Sequence, residues 1–216
     1  MSASKVAAAV GLSPYESPFS LYHRMAGLIP QPAQTAVMSR GHYLESGVAA
    51  WWADQHPEYD VLRGQSYLHE TRDWQVAAPD RLLALGADAE VTSLLEIKTA
   101  RDADDDEWGP AGSDQIPVGY RCQVLWQMST LGVDTAHVAV LLPYLEFRDY
   151  VIEYDAADAD ALVAAARSFI DEDIEACERI QMAMRAERFV VGPLAQHHER
   201  PIEAFQQHLL DRLAAD

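Results

Sequence analysis

Cysteine is scarce: the 216 residues include only Cys122 and Cys177, and these form no C-x-x-C pair. A zinc site or iron–sulfur cluster built from four cysteines is therefore excluded, and both side chains read as small buried apolar groups. Long apolar runs are also missing, and Met1-Ser2-Ala3-Ser4-Lys5 lacks the layout of a signal peptide, so a soluble, cytoplasmic protein without a membrane partner is expected. Basic residues are few, 16 Lys and Arg against 34 Asp and Glu, which leaves a formal charge of −18. Proteins that bind nucleic acid ordinarily use Lys and Arg to displace counterions from phosphates. The acidity is uneven, however, at −4 over residues 1–100 and −14 over 101–216. Carboxylates gathered around a bound cation are ligands rather than repellents, so the net charge lowers the expectation of a polyanionic partner without excluding it. The length suits one domain over residues 1–216, and no internal repeat is visible.

What the chain does have is concentrated between residues 79 and 98. Pro79-Asp80 is separated by fifteen residues from Glu96-Ile97-Lys98. In Ser93 to Thr99, strand alternation puts Glu96 and Lys98 on one face and Leu95 and Ile97 on the other. Charges on an otherwise apolar strand need compensation from each other, from solvent or from a metal. Two hard carboxylates beside an ammonium can hold Mg²⁺ and a water. The pattern resembles the PD-(D/E)xK nuclease signature, while a hairpin carrying one cross-strand salt bridge is the plainer reading of the same residues.

The rest of the chain supplies the setting. Ser2 or Ser4 caps a short helix over Lys5–Val10, closed by Gly11, and a cap on the very first residues suggests a natural chain that extends upstream. A second helix starts near Pro18 and ends at Gly27. Residues 36–55 read as a longer helix, with Met38, Gly41, Glu45, Val48 or Ala49, and Trp52 on one stripe. Glu45 then either joins a metal site or borders the stripe, paired with Arg40 or His42. Strands are expected over Tyr59–His69, Trp74–Ala78, Leu82–Leu85 and Leu94–Thr99, with a turn at Gly86-Ala87-Asp88.

The acid-rich stretch Arg101–Gly112 reads as a solvated loop, with Trp108 as an anchor or a base-stacking residue. Pro117 opens a helix to Leu131, with Tyr120, Gln123 and Gln127 on a hydrogen-bonding edge beside an apolar stripe that includes Cys122 and Leu125. Two more strands follow, Ala136–Leu142 and Glu146–Tyr154. A long helix begins at Asp158, its stripe running through Leu162, Phe169, Ile174, Cys177 and Ile180. Gly192-Pro193 breaks it before a last helix over Glu199–Leu213. His197 and His198 point apart and read as surface residues.

Taken in order, these segments resemble the YqaJ-type viral recombinases, phage alkaline exonucleases related to lambda exonuclease. S-A-S-K-V-A-A-A-V-G-L-S-P-Y-E-S-P at 2–18 is similar to the family's opening, and R-G-H-Y-L-E at 40–45 to its W-G-x-x-x-E helix, with Arg40 in place of tryptophan. A-P-D-R at 78–81 is similar to S-P-D-G, with Arg81 in place of glycine, and L-E-I-K at 95–98 to the family's strand. Y-R-C-Q-V-L-W-Q at 120–127 resembles Y-x-x-Q-V-Q-x-Q.

The resemblance implies an α/β (α+β) restriction-endonuclease-like core, a central mixed sheet flanked by helices, with a long C-terminal helix. It implies that Asp80 and Glu96, with the Ile97 carbonyl, bind Mg²⁺ (Mn²⁺ as a substitute) and that Glu45 takes a second metal or a metal-bound water. Lys98 would orient and help deprotonate the attacking water, with Gln123 holding it. Ser4 would lie near a 5′ phosphate, although the basic residue the family places upstream of it has no counterpart. Arg40, Arg81 and Tyr120, with Arg24 and Arg63, are candidates for DNA contacts.

The implied activity is exonucleolytic cleavage of double-stranded DNA ends, 5′ to 3′, in phage-type recombination. A trimeric assembly, a single-strand annealing partner, and a phage or prophage origin in a bacterial host go with it. The alternatives are a related nuclease of repair or CRISPR adaptation, and an inactive nuclease-fold scaffold.

Overall fold

The computed structural model describes residues 1–86, 90–100 and 107–184, with side chains in the last helix described up to 171 and at 182. Asp102, Asp104, Asp105 and Asp106, the Ala87-Asp88 part of the expected turn, the Gly192-Pro193 break, His197, His198 and the 199–213 helix lie outside the described residues, as do the side chains of Ile174, Cys177 and Ile180.

Three helices open the chain: α1 (Ala3–Ala9), α2 (Pro18–Met25) and α3 (Ala36–Gln55). Ser17 and Ser20 form a reciprocal capping box on α2, with Pro18 at its first turn, and Thr35 accepts a hydrogen bond from the Met38 N–H to start α3. The first helix begins two residues earlier than its composition suggests, and Ser2 caps it through its backbone, its side chain making no cap bond.

Seven strands follow, interrupted by α4 (Val118–Leu131): β1 (Tyr59–Arg63), β2 (Tyr67–Leu68), β3 (Val76–Ala77), β4 (Arg81–Leu85), β5 (Val91–Thr99), β6 (Thr135–Leu141) and β7 (Phe147–Glu153). The long helix α5 (Ala156–Met184) closes the described fold. Gly132 ends α4 in the left-handed conformation at φ 70°, and its N–H returns to Met128.

The main sheet has the order β1-β4-β5-β6-β7. All neighbours are antiparallel except β5 and β6, which run parallel with α4 as the crossover between them. The expected strand over Tyr59–His69 is in fact two, because the chain leaves the main sheet after Arg63 and pairs β2 with β3 in a separate ribbon.

Each face of the sheet has its own apolar layer. Val48, Ala49 and Trp52 of α3 pack on Leu83, Leu95, Ile97, Ala139 and Leu141. Opposite, α1, α4 and α5 cover Leu82, Leu94, Val138, Val140, Tyr150 and Ile152 through Val6, Val124, Leu125, Met128, Leu162 and Ala166. Met38, at the start of the α3 stripe, is 49% exposed, so burial on that helix begins only at its second half. Trp108 anchors its segment from within the core, tilted against Tyr120 and Tyr150, which removes it as a base-stacking residue.

Candidate active site

Strand alternation sends Leu94, Glu96 and Lys98 of β5 toward α4, while Leu95 and Ile97 face α3. Glu96 is buried, yet each of its oxygens is met by donors. Oε1 accepts from Lys98 Nζ at 2.6 Å and from Gln123 Nε2 at 2.6 Å, and Oε2 accepts from Gln127 Nε2 at 2.9 Å. Lys98 Nζ also donates to Gln123 Oε1 at 3.1 Å and lies 5.0 Å from the centre of the Tyr120 ring. A buried anion held by one cation and two amides is compensated in the way such groups require.

Asp80 reaches the same region from the start of β4. That strand pairs with β5 from Arg81 opposite Leu95, so among the described residues no strand lies beside that edge of β5 beyond Leu95. Proline has no N–H with which to continue the ladder, which suits Pro79 to this exit point. The Asp80 carboxylate fills the gap, and its Oδ2 accepts the Ile97 N–H at 2.7 Å. Since N–H and C=O of one strand residue point to the same edge, the Ile97 carbonyl is directed to the Asp80 side as well.

The bend also explains Gly64, which carried no functional signal in the sequence. A Cβ there would meet the Pro79 carbonyl oxygen at 1.8 Å, while the Gly64 N–H donates to Asp80 O at 3.1 Å. Gly64→Ala should therefore displace Pro79-Asp80 and destabilise the fold by about 1–3 kcal/mol. Thermal denaturation beside a cleavage assay checks it, and activity is expected to fall further than stability.

Glu45 comes from the opposite face of the sheet. Its Oε1 accepts from Arg81 Nη1 at 2.8 Å, so its partner is neither Arg40 nor His42. The same Nη1 donates to Asp80 O at 2.6 Å. The three acids expected to share divalent ions therefore stand in two groups, Asp80 with Glu96 and Glu45 with Arg81. Among the described residues, no set of three or more His, Cys, Asp or Glu is placed to hold one ion.

The electrostatics nonetheless favour a cation. Burial raises the Asp80 carboxyl first and the nearby charge of Glu96 second, with Glu45 adding to them; the Ile97 N–H and Lys98 pull the other way, and the result is about 7. Burial by itself would lower Lys98, but the charge and hydrogen bond of Glu96 and the charge of Asp80 hold it above its ordinary value. Two like-charged carboxylates beside a directed backbone carbonyl form a hard oxygen donor set, and a divalent ion there would remove the repulsion between them.

The candidates for DNA contacts are dispersed. Ser4 is exposed on α1, with its Oγ 3.4 Å from that of Ser2, and Arg40 and Arg63 are exposed. Arg24 is held by Glu16 at 2.6 Å and by the Pro30 carbonyl at 2.6 Å, while Arg81 is engaged by Glu45. Tyr120 stands beside Lys98.

Gln127 was visible only as part of a polar helix edge, but it is completely buried and its Oε1 has no partner among the described residues. A Gln-to-Leu change at 127 removes an unpaired buried acceptor together with one donor to Glu96. Stability is expected to stay within about 1 kcal/mol of wild type while activity falls about 10-fold, as melting curves and rates will show.

The family model of the YqaJ-like viral recombinase domain matches residues 1–134. A second, the catalytic domain of the ring hydroxylating alpha subunit, matches residues 134–215, under half of the chain, and assigns no family. No curated protein sequence matches.

Among solved structures, the alkaline exonuclease LHK-Exo from Laribacter hongkongensis is similar at 19% identity and TM-score 0.63, covering 84% of this chain and 91% of that one. Its complex with dAMP matches at 20% identity and TM-score 0.62, with coverage of 84% and 91%. A phage-related exonuclease from Haemophilus somnus matches at 14% identity and TM-score 0.55, covering 82% of this chain and 96% of that one. At such identities the likeness concerns the fold, and it agrees with the mixed five-stranded sheet and flanking helices. The family match spans every segment from α1 to the end of α4, all three acids and the lysine included, and on that match the chain belongs to the YqaJ-like viral recombinase family.

Proposed function

We propose that the protein is a Mg²⁺-dependent nuclease that hydrolyses DNA phosphodiester bonds from double-stranded ends, in the 5′ to 3′ direction. The observation that carries this reading is the placement of Asp80, Glu96, Lys98 and Gln123 about the open edge of β5, with Lys98 Nζ 2.6 Å from Glu96. Family membership and the fold shared with the two exonucleases support it.

Asp80 Oδ2, Glu96 and the Ile97 carbonyl would hold the ion. Bound there, Mg²⁺ supplies Lewis-acid stabilisation of charge on the phosphoryl oxygens and activates a water. The chain's own groups do the remainder. Lys98, held above its ordinary value, is a cation that donates to the phosphate or to the attacking water. For it to accept a proton, the hold of Glu96 on it must weaken. Gln123 bridges Glu96 and Lys98 and fixes the direction of both. Exposed Ser4, Arg40 and Arg63 are left to meet the DNA backbone.

The test incubates purified protein with linear and circular duplexes in Mg²⁺ or EDTA, with label on the 5′ or the 3′ end. Loss of linear DNA alone, in Mg²⁺ alone, with 5′ label released first, is the expected result. Cleaved circles would make the protein an endonuclease, and binding without cleavage under every condition would make it a scaffold.

A further inference from the structure

Arg81 is the residue whose position the proposed mechanism leaves unexplained. A guanidinium is charged at every working pH and cannot be dismissed as neutral. It is 15% exposed, it joins the Glu45 carboxylate at 2.8 Å, and through the same nitrogen it holds the carbonyl of Asp80, the first metal-binding candidate, at 2.6 Å.

Three facts converge on this contact. Arg81 faces α3, because it pairs with Leu95, whose side chain packs on the α3 side. Glu45 lies on the one stripe of α3 that meets the sheet, one turn after Gly41, where a Cβ would stand 3.6 Å from Thr99 Oγ1. And the acids of the site split into a pair around β5 and a single glutamate on Arg81, with no three-acid cluster among the described residues. A positive charge thus already joins Glu45 to the backbone carbonyl of Asp80.

We propose that Arg81 takes the place of a second divalent ion. In this reading, which rests on the metal site proposed above, the protein binds one Mg²⁺ at Asp80 and Glu96. The Arg81 guanidinium, fixed by Glu45, supplies the second positive charge to the scissile phosphate. Glu45 is then a positioning residue for Arg81 and not a metal ligand. A planar fork suits the role, since it can keep Glu45 on one nitrogen and offer another to a phosphate oxygen.

Counting bound ions separates this arrangement from a two-metal site without any cleavage assay. Mn²⁺ is titrated into DNA-free protein, and the free ion is followed by its paramagnetic resonance. Wild type is expected to bind one ion per chain. Arg81→Met keeps the side-chain stem but frees Glu45, and should bind two; adding Glu45→Gln to it should return the count to one.

With DNA present, Arg81→Met should need about 10-fold more Mg²⁺ for half-maximal cleavage. Two ions on wild type, or one ion on both wild type and a folded Arg81→Met, overturns this inference alone. No ion on wild type overturns the metal site itself and this inference with it.

Discussion

Substituting Lys98 by alanine is expected to reduce cleavage at least about 1,000-fold, the scale of losing a charged group that acts on the transition state. The loss is specific because, among the described residues, the lysine is the sole cation bonded to Glu96, whose other donors, Gln123 and Gln127, are neutral amides. Without metal, the variant leaves a 4% exposed carboxylate facing those amides only, so its stability in EDTA should drop by about 3–5 kcal/mol. Mg²⁺ should restore most of that stability, because the ion replaces the missing charge, and should restore none of the rate. Melting temperatures with and without Mg²⁺, beside single-turnover rates, check both halves. A variant that cuts at the parental rate removes Lys98 from the mechanism.

The second large effect concerns pH. Asp80 titrates near 7 in the folded chain and about 4 in the unfolded one, so between those values the folded state binds the extra proton. Stability in EDTA therefore falls as pH rises from about 4 to 7 and levels off above. The full shift corresponds to about 4 kcal/mol, and solvent at the half-buried carboxyl reduces it to about 2 kcal/mol. Asp80→Asn should flatten the profile and make the metal-free protein more stable than wild type at pH 8, while removing activity. Saturating Mg²⁺ should reverse the order at pH 8, since only the wild type gains binding energy there. Denaturant midpoints at pH 5 and pH 8, with Mg²⁺ or EDTA, decide it.

Much of the site could be read from spacing because strand alternation is strict. Glu96 and Lys98 had to share a face, and the pair is found at 2.6 Å on the side of Gln123. The hairpin from Asp80 to Glu96 and the helices from Ala36 and Val118 follow from the same periodicities.

What escaped the sequence depended on distance across the fold. Arg81 is a long side chain, and nothing in its neighbours says whether it turns to solvent, to DNA or to Glu45 thirty-six positions earlier. Gln127 reads as the polar border of an amphipathic helix until Glu96 is seen opposite it. The break of the first strand after Arg63 arises where Gly64 yields to the carbonyl of Pro79, a contact between segments that no local propensity encodes.

The single parallel pairing in the main sheet also sets the order in which the groups about Lys98 are made. Glu96 and Lys98 leave the ribosome on β5 well before Gln123 on α4, and the strand that fixes that crossover, β6, ends only at Leu141. Chains ending before α4 lack the Gln123 arm of the clamp on the lysine. The last of the groups about the lysine to be made is thus the one carried by the crossover itself.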